Sequence, residues 1–219
     1  MSPKISLREL EQRSFNVTFQ DGLLDIFLGS VILMFVIAPF LSPYLGDFWS
    51  SAVFLPFWAL IFVLLWAIKK HVVHPRVGIV EYGSWRRSRM MRFNILMLVA
   101  GIFALLLGVL SAVRFEAVPG WMHTARFSLL ILIGFSVTGF FLGIVRLYVY
   151  GLMIAIAPLA GELLYHYLGV PHHGYPVTFG ITAATVLCTG LVLLIRLIDR
   201  YPLEEGGLIL DEGRHEEFE

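Results

Sequence analysis

The chain has 219 residues, of which 58% are hydrophobic and only 15% are charged. A soluble domain usually contains about 45–50% apolar and about 25% charged residues, so this composition leaves little room for one. The single cysteine excludes an internal disulfide and a cysteine-based metal cage. The apolar residues lie in runs of roughly twenty, the length that a helix needs to cross the apolar core of a bilayer. The sequence therefore predicts an all-α integral membrane protein.

Residues 1–21 are predicted to form an amphipathic interfacial helix at the cytoplasmic surface of the membrane. Ser6 followed by Glu9 is a capping-box pattern, which is typical of a helix start. Apolar residues between Ile5 and Phe19 would supply the face that contacts lipid. No apolar leader with a cleavage site occurs here, so we expect the first span to direct its own insertion. The helix is either a simple lead-in to that span or a site for a lipid or a partner.

A bundle of six transmembrane helices is predicted within residues 22–198. The apolar runs cover about residues 23–41, 49–68, 93–113, 127–145, 148–168 and 177–198. Small residues at four-residue spacing recur in them, for example Gly139 and Gly143, and allow helix backbones to approach closely. Phe35–Phe40 resembles Ile154–Leu159, but spans 1 and 5 run in the same direction. This similarity therefore does not support the inverted repeat that is typical of secondary transporters.

A basic loop, residues 69–92, separates spans 2 and 3 and sets the predicted orientation. It holds seven of the 16 Lys and Arg residues of the chain. If the loop is cytoplasmic, 14 of the 16 lie inside, and only Arg114 and Arg126 lie outside. Short positive loops stay in the cytoplasm because moving many cations across a bilayer is costly. We therefore expect both termini in the cytoplasm and a prokaryotic inner membrane as the location.

The cytoplasmic segments are expected to contact anionic lipid and each other. Cations near the surface attract anionic headgroups at about 1 kcal/mol each, whereas no fold or aromatic interleaving supports nucleic-acid binding. The tail, residues 199–219, carries a net charge of −6 and the basic loop +6, so the two are predicted to form a small cytoplasmic cap. Val77–Tyr82 and Leu208–Leu210 could pair within this cap as a short β-ribbon.

A candidate polar seam lies between spans 5 and 6 and would open to the outer face. Glu162 and His166 are four residues apart and therefore share one face of a helix. A carboxylate roughly 10 Å inside the end of a span is a functional hypothesis by default. Three threonines of span 6 lie at matching depths and follow helical spacing: Thr182, Thr185 and Thr189.

Three interpretations of the seam remain open. Glu162, His166, His172 and His173 could bind a divalent metal such as Zn²⁺, since carboxylate and imidazole are normal zinc ligands. However, their spacing matches no established zinc motif. The seam could also carry a proton or a solute, with Glu162 as the group that binds it. Finally, it could be a hydrogen-bonded network that only holds the two helices together.

An inner charge cluster is predicted at the cytoplasmic ends of three spans. Asp25 lies near the start of span 1, at a depth similar to that of Arg146 and Arg196 on other spans. Ion pairs between these residues would fix the helix ends, because a charge inside a membrane needs a partner. The alternative is an inner gate that opposes the seam around Glu162.

The motifs of common enzymes are absent from the sequence. It contains no nucleophile elbow of the GxSxG type, and no HExxH, P-loop or GxGxxG pattern. The polar seam favours a transporter-like or channel-like protein without enzymatic activity. The alternative is a structural or accessory subunit of a membrane complex or homo-oligomer. A third hypothesis is a metal-dependent membrane enzyme.

Overall fold

The structure, a computed structural model, describes residues 21–77, 88, 91–102, 106 and 120–202. Within these ranges the chain is almost entirely helical and contains no strand. Five of its helices are long and apolar enough to cross a membrane, and one further apolar helix is shorter. The prediction of an all-helical membrane bundle is confirmed at this level. The helices are α1 (Leu23–Gly46), α2 (Phe48–Arg76), α3 (Met91–Ile102), α4 (Gly120–Leu142), α5 (Arg146–Leu168) and α6 (Tyr175–Arg200).

Several predicted segments lie outside the described residues. These are the amphipathic helix before Asp21, residues 78–87, 89 and 90 of the basic loop, residues 103–105 and 107–113 of predicted span 3, and the acidic tail after Pro202. The two segments of the predicted β-ribbon also lie outside, except for Val77, which ends a short helix. The cytoplasmic cap therefore stays a prediction.

The break between α1 and α2 is at Gly46. The backbone is helical from Leu23 to Ala52 except at this glycine, which has φ 76° and ψ 163°. Glycine adopts positive φ without the steric cost that a Cβ atom imposes on other residues. α1 therefore extends past the predicted span end at residue 41, and α2 follows after a very short connection.

α2 continues into the predicted basic loop. Lys69–Val73 form a π-helical turn and His74–Val77 a final α-helical turn, so the helix ends later than the predicted boundary at residue 68. The ammonium nitrogen of Lys70 lies 5.2 Å from the centre of the Trp66 ring. Long basic side chains can remain on a helix and still place their charge at the membrane surface, which explains the extension.

The connection between α4 and α5 is short and begins with a glycine. α4 ends at Leu142 because Gly143 has φ 71°, a left-handed conformation. A Cβ atom at Gly143 would meet nothing within 4 Å, whereas one at Gly139 would lie 3.0 Å from the Tyr148 ring. Only Gly139 of this pair therefore serves close packing, and Gly143 ends the helix.

The core of the bundle is formed by α1, α4, α5 and α6, while α2 and α3 lie at the periphery. α6 packs against α1 along much of its length and also against α5, and α4 packs against α5. The buried apolar residues that these four helices share include Ile32, Leu142, Leu147, Ile154, Ala157, Phe179, Ala183 and Val186. A second, smaller cluster joins α1, α2 and α6 through Leu23, Leu65, Val73 and Leu197.

Glycines bring α1 and α6 into backbone contact near the start of α1. A Cβ atom at Gly190 would lie 2.8 Å from the carbonyl oxygen of Gly22 and from the backbone nitrogen of Ile26. A Cβ atom at Gly29 would lie 2.6 Å from the Leu187 side chain. Small residues at these positions allow the close approach that van der Waals packing between membrane helices requires.

Candidate functional site

Two polar clusters lie near opposite ends of the bundle. The Asp25 cluster consists of Asp21, Asp25, Lys69, Arg146 and Tyr150, and the Glu162 cluster consists of Glu162, His173 and Tyr175. α5 contributes to both, because Arg146 is its first residue and Glu162 lies more than four turns later. At 1.5 Å per residue, the two positions are about 24 Å apart along the helix.

Two ion pairs define the Asp25 cluster. The Asp25 side chain is fully enclosed, and its Oδ1 atom lies 2.9 Å from Nε of Arg146. Asp21 is 1% exposed, and its Oδ2 atom lies 3.3 Å from Nζ of Lys69. Its Oδ1 atom accepts a hydrogen bond from the backbone N–H of Leu23 at 3.1 Å, which satisfies a free donor at the start of α1. The cluster therefore ties the start of α1 to α2 and α5.

The starts of α1 and α5 and the π-helical turn of α2 place these four charges together. Lys69 begins the π-helical turn of α2, and Arg146 follows the short connection after Gly143. Asp25 lies in the first turn of α1, where a carboxylate also interacts favourably with the helix dipole. The starts of α1 and α5 and the position of the π-helical turn in α2 thus determine which charges meet.

Tyr150 completes the environment of Asp25 and connects it to Thr189. Tyr150 lies one turn after Arg146 on α5 and is 4% exposed. Its hydroxyl is in electrostatic contact with Asp25 and with Thr189 of α6, but its geometry with either falls short of a hydrogen bond. The Asp25 carboxylate therefore faces two polar side chains of α5, Arg146 and Tyr150, and Tyr150 in turn connects to α6 through Thr189.

The Glu162 cluster consists of a carboxylate and two aromatic partners from the start of α6. The hydroxyl of Tyr175 donates a hydrogen bond to Oε1 of Glu162 at 3.1 Å. Nδ1 of His173 lies 3.3 Å from Oε1 and 3.4 Å from Oε2. The Thr124 hydroxyl of α4 also interacts with Tyr175. This end of α5 is thereby linked to α4 and α6.

The turn that carries His173 has an unusual backbone. His172, His173 and Gly174 have φ values of 55°, 53° and 62°, so three consecutive residues are left-handed. For residues with a Cβ atom, this conformation costs roughly 1–2 kcal/mol each. Strained residues persist where the surrounding structure holds them, and they are often found at functional sites.

A close glycine contact holds this turn against α5. A Cβ atom at Gly161 would lie 2.7 Å from the His173 carbonyl oxygen, and one at Gly174 would lie 2.7 Å from the Gly161 carbonyl oxygen. Two residues without side chains therefore let the turn approach the backbone of α5. The approach brings the His173 ring to Glu162.

The four predicted metal ligands are not gathered at one point. The His172 ring lies 5.5 Å from the Phe40 ring, and His166 is exposed with its ring 5.9 Å from Tyr165. Only Glu162 and His173 meet. Within the part of the chain that the structure describes, no three His, Cys, Asp or Glu side chains are placed to hold a metal ion. The geometry therefore gives the zinc interpretation no support.

The threonines of α6 satisfy their hydroxyls within their own helix. Thr182, Thr185 and Thr189 each donate to the backbone carbonyl four residues earlier, at 2.8–2.9 Å. Thr182 is buried, whereas Thr185 is exposed. Back-bonding of this kind leaves a hydroxyl little need for another partner. The stripe thus follows the border of the buried face of α6, and Thr189 at one of its ends interacts with Tyr150 of α5.

The sequence pattern predicted some of these contacts but not others. It placed Asp25 near both Arg146 and Arg196, but Arg196 is exposed on α6 and only Arg146 forms an ion pair with Asp25 among the described residues. It assigned Lys69 to a loop and overlooked Tyr150 and Tyr175. The sequence did contain a signal for Tyr150, because this tyrosine follows Arg146 by one helical turn at the end of a predicted span.

No protein-family model, curated relative or solved structure matches this chain.

Proposed function

We propose that this membrane protein is a small transporter or channel whose carboxylates select a proton or a cationic solute. The observation that carries the proposal is the presence of carboxylates at both ends of a bundle built from membrane-length helices. Ionisable residues inside membrane spans are costly, and they commonly mark the path of an ion or a substrate. Asp25 is enclosed at one end, and Glu162 lies about 9 Å from the end of α5 at the other.

The arrangement of α5 and α6 supports a path between the two ends. α5 carries Arg146, Tyr150 and Glu162, and α6 faces them with Thr189 at one end and Tyr175 at the other. The core between the two clusters is apolar and includes Ile154, Ala157, Phe179, Ala183 and Val186. Under this proposal the apolar core closes the path, and transport requires α5 and α6 to move relative to each other.

The proposal is tested by flux into vesicles. Purified protein is reconstituted into liposomes that contain a pH-sensitive dye, and a proton or potassium gradient is imposed. We expect a flux above that of protein-free liposomes and a strong reduction in Glu162→Gln. Asp199→Asn is the matched control, since it removes an exposed carboxylate at the other end of α6. A flux equal to that of empty liposomes would exclude proton and potassium transport, and equal loss in both variants would exclude a specific role of Glu162.

For orientation, we propose that both termini are cytoplasmic and that the Glu162 end faces outward in a prokaryotic inner membrane. The distribution of Lys and Arg supports this orientation. A cysteine at Ser2 in a Cys188→Ser background tests it, with a maleimide that does not cross membranes. We expect labelling only after intact cells are broken, and labelling of intact cells would reverse the orientation.

A second candidate function is that of an accessory subunit in a membrane complex or homo-oligomer. Its specific support is the exposure of the peripheral helices: only 12% of the most apolar window of α2 is buried, compared with 44% in α5. The α3 side chains are exposed except for Phe93, which lies 5.5 Å from Phe141. Lipid or another protein must cover these faces. Purification in a mild detergent distinguishes the two, because a stable stoichiometric partner would favour the subunit.

A further inference from the structure

We propose that Glu162, Tyr165 and Tyr175 form a binding site for a small organic cation, and that the His173 side chain occupies this site as an internal ligand. The three residues are called the cation cage below. The inference rests on the proposed function in one respect, because it names the class of cation that a transporter would recognise at this end. Binding itself can be measured without transport.

The contacts of the His173 ring are those of a bound cation. Its centre lies 4.5 Å from the centre of the Tyr165 ring and 5.8 Å from that of Tyr175. The ring is tilted by 34° from the first and by 28° from the second, so it lies against the faces of both. Its Nδ1 atom is within 3.4 Å of both oxygens of Glu162. A protonated imidazole in this position would have a carboxylate at its edge and two aromatic rings nearby.

A carboxylate together with the faces of tyrosine rings can bind an alkylammonium ion. The negative face of an aromatic ring attracts a cation within about 6 Å of its centre, and such cages bind quaternary ammonium groups. Glu162 supplies the compensating charge, and the Tyr175 hydroxyl holds one of its oxygens in place. A metal ion would instead need several oxygen or nitrogen ligands, which this end does not gather within the described residues.

The backbone of the turn explains how His173 could leave the cage. His172 and His173 both adopt the left-handed conformation, which side chains with a Cβ atom disfavour. Release of His173 from Glu162 would let this strain relax, so displacement by a ligand is opposed less than for an unstrained loop. Gly174 can follow without cost, because glycine adopts either sign of φ.

The cage can be reached from outside the bundle. The Glu162 side chain is 27% exposed and that of His173 is 53% exposed. Tyr165 is 44% exposed. A solute can therefore approach the carboxylate once the histidine ring moves, and no rearrangement of the buried core is needed.

Choline binding to the purified full-length protein in detergent tests the inference, measured by isothermal titration calorimetry. The decisive variant is His173→Gly, which empties the cage and also fits the positive φ at this position. We expect choline to bind the variant at least about tenfold more tightly than the native protein, since apparent affinity falls with the fraction of competent sites. The uncharged isostere 3,3-dimethylbutan-1-ol should bind neither protein.

Matched variants separate the cage from a nonspecific effect. In the His173→Gly background, Glu162→Gln and Tyr165→Leu should each weaken choline binding at least about tenfold, because each removes one attraction on the cation. Tyr167→Leu is the control for Tyr165→Leu, because Tyr167 lies on the same helix and is 82% exposed. Imidazole at low pH should also bind the His173→Gly variant by replacing the missing ring.

Three results would overturn the inference. The first is that choline does not bind folded His173→Gly. The second is that choline and 3,3-dimethylbutan-1-ol bind this variant equally well. The third is that choline binding persists when Glu162→Gln is added. A purely structural His173 would give a lower unfolding temperature in His173→Gly without any new binding. Choline binding without proton or potassium flux in liposomes would keep the cage and exclude proton and potassium transport, whereas flux without choline binding would keep transport and remove the cage.

Discussion

At one end of the bundle, the Asp25 carboxylate is fully enclosed and lies 2.9 Å from Arg146. At the other end, Glu162 is 27% exposed and is held by the hydroxyl of Tyr175 and the ring of His173. The partner of Asp25 is permanently cationic, since an arginine does not lose its proton in proteins. The partners of Glu162 are a hydroxyl and an imidazole ring, neither of which is a permanent cation.

Because their partners differ, the two clusters are expected to have different roles. A buried charge with a permanent partner is costly to separate, so the Asp25 cluster acts as a fixed joint between α1, α2 and α5. The Glu162 cluster has exchangeable partners, one of them on a strained turn, so a solute can replace them. The Asp25 cluster thus marks a stable end of the bundle and the Glu162 cluster an exchangeable end. The two ends should respond differently to substitution.

The largest expected effect is the loss of the arginine that faces Asp25. Arg146→Ala would leave a fully enclosed carboxylate without its ion pair, which typically costs about 3–5 kcal/mol. The free energy of unfolding is measured by titration with a denaturing detergent. Asp25→Leu/Arg146→Leu should be more stable than Arg146→Ala, because the double variant leaves no buried charge. A change below about 1 kcal/mol in Arg146→Ala would show that the joint contributes no more than a surface pair.

Much of the fold was predictable because apolar runs of membrane length dictate helices. The pairing of Asp25 with Arg146 was also within reach, since both lie at the cytoplasmic ends of predicted spans and a buried charge needs a partner. That Lys69 belongs to the Asp25 cluster could not be predicted, because a cationic residue directly after an apolar run usually marks the start of a loop. The π-helical turn that keeps it helical depends on packing against α1 and α6, through Val73 for example.

The Glu162 cluster was harder to predict because a turn builds it. Helical spacing suggested His166 as the partner of Glu162, but a shared helix face does not decide which side chain turns toward a neighbouring helix. The partner is His173, which reaches Glu162 through three left-handed residues and a glycine contact at Gly161. Periodicity also could not show that the threonines of α6 bond to their own backbone.

The backbone contact between α1 and α6 near the stable end provides the next prediction. Gly190→Ala would place a Cβ atom 2.8 Å from backbone atoms of Gly22 and Ile26, so the helices must separate. Overpacking of this kind costs about 1–3 kcal/mol in unfolding experiments. Gly180→Ala on the same helix meets nothing within 4 Å and should be neutral or stabilising, since alanine is the better helix former. Equal destabilisation by both variants would argue against a close contact at Gly190.

A smaller effect is expected at the exchangeable end. Tyr175→Phe removes the hydroxyl that donates to Glu162, and hydrogen bonds between membrane helices contribute only about 0.6 kcal/mol on average. Thermal unfolding in detergent should therefore change little, while choline affinity in the His173→Gly background should fall. The variant thus separates binding from stability. A loss of stability as large as that of Arg146→Ala would make the Glu162 cluster a second joint and would remove the contrast between the two ends.

An effect of similarly small size is expected within the Asp25 cluster itself, at its more exposed ion pair. The Lys69 side chain is 34% exposed, so water screens its attraction to Asp21. Lys69→Met keeps the apolar stem and removes the charge, and we expect a loss of about 0.2–1 kcal/mol, the range of exposed pairs. Asp21 retains its hydrogen bond from the Leu23 backbone, which limits the loss further. Unfolding at low and at high salt checks the cause, because the difference between native protein and variant should shrink as salt rises. A loss that matches Arg146→Ala and does not depend on salt would show that the π-helical turn, through Lys69, holds α2 as firmly as Arg146 holds α5.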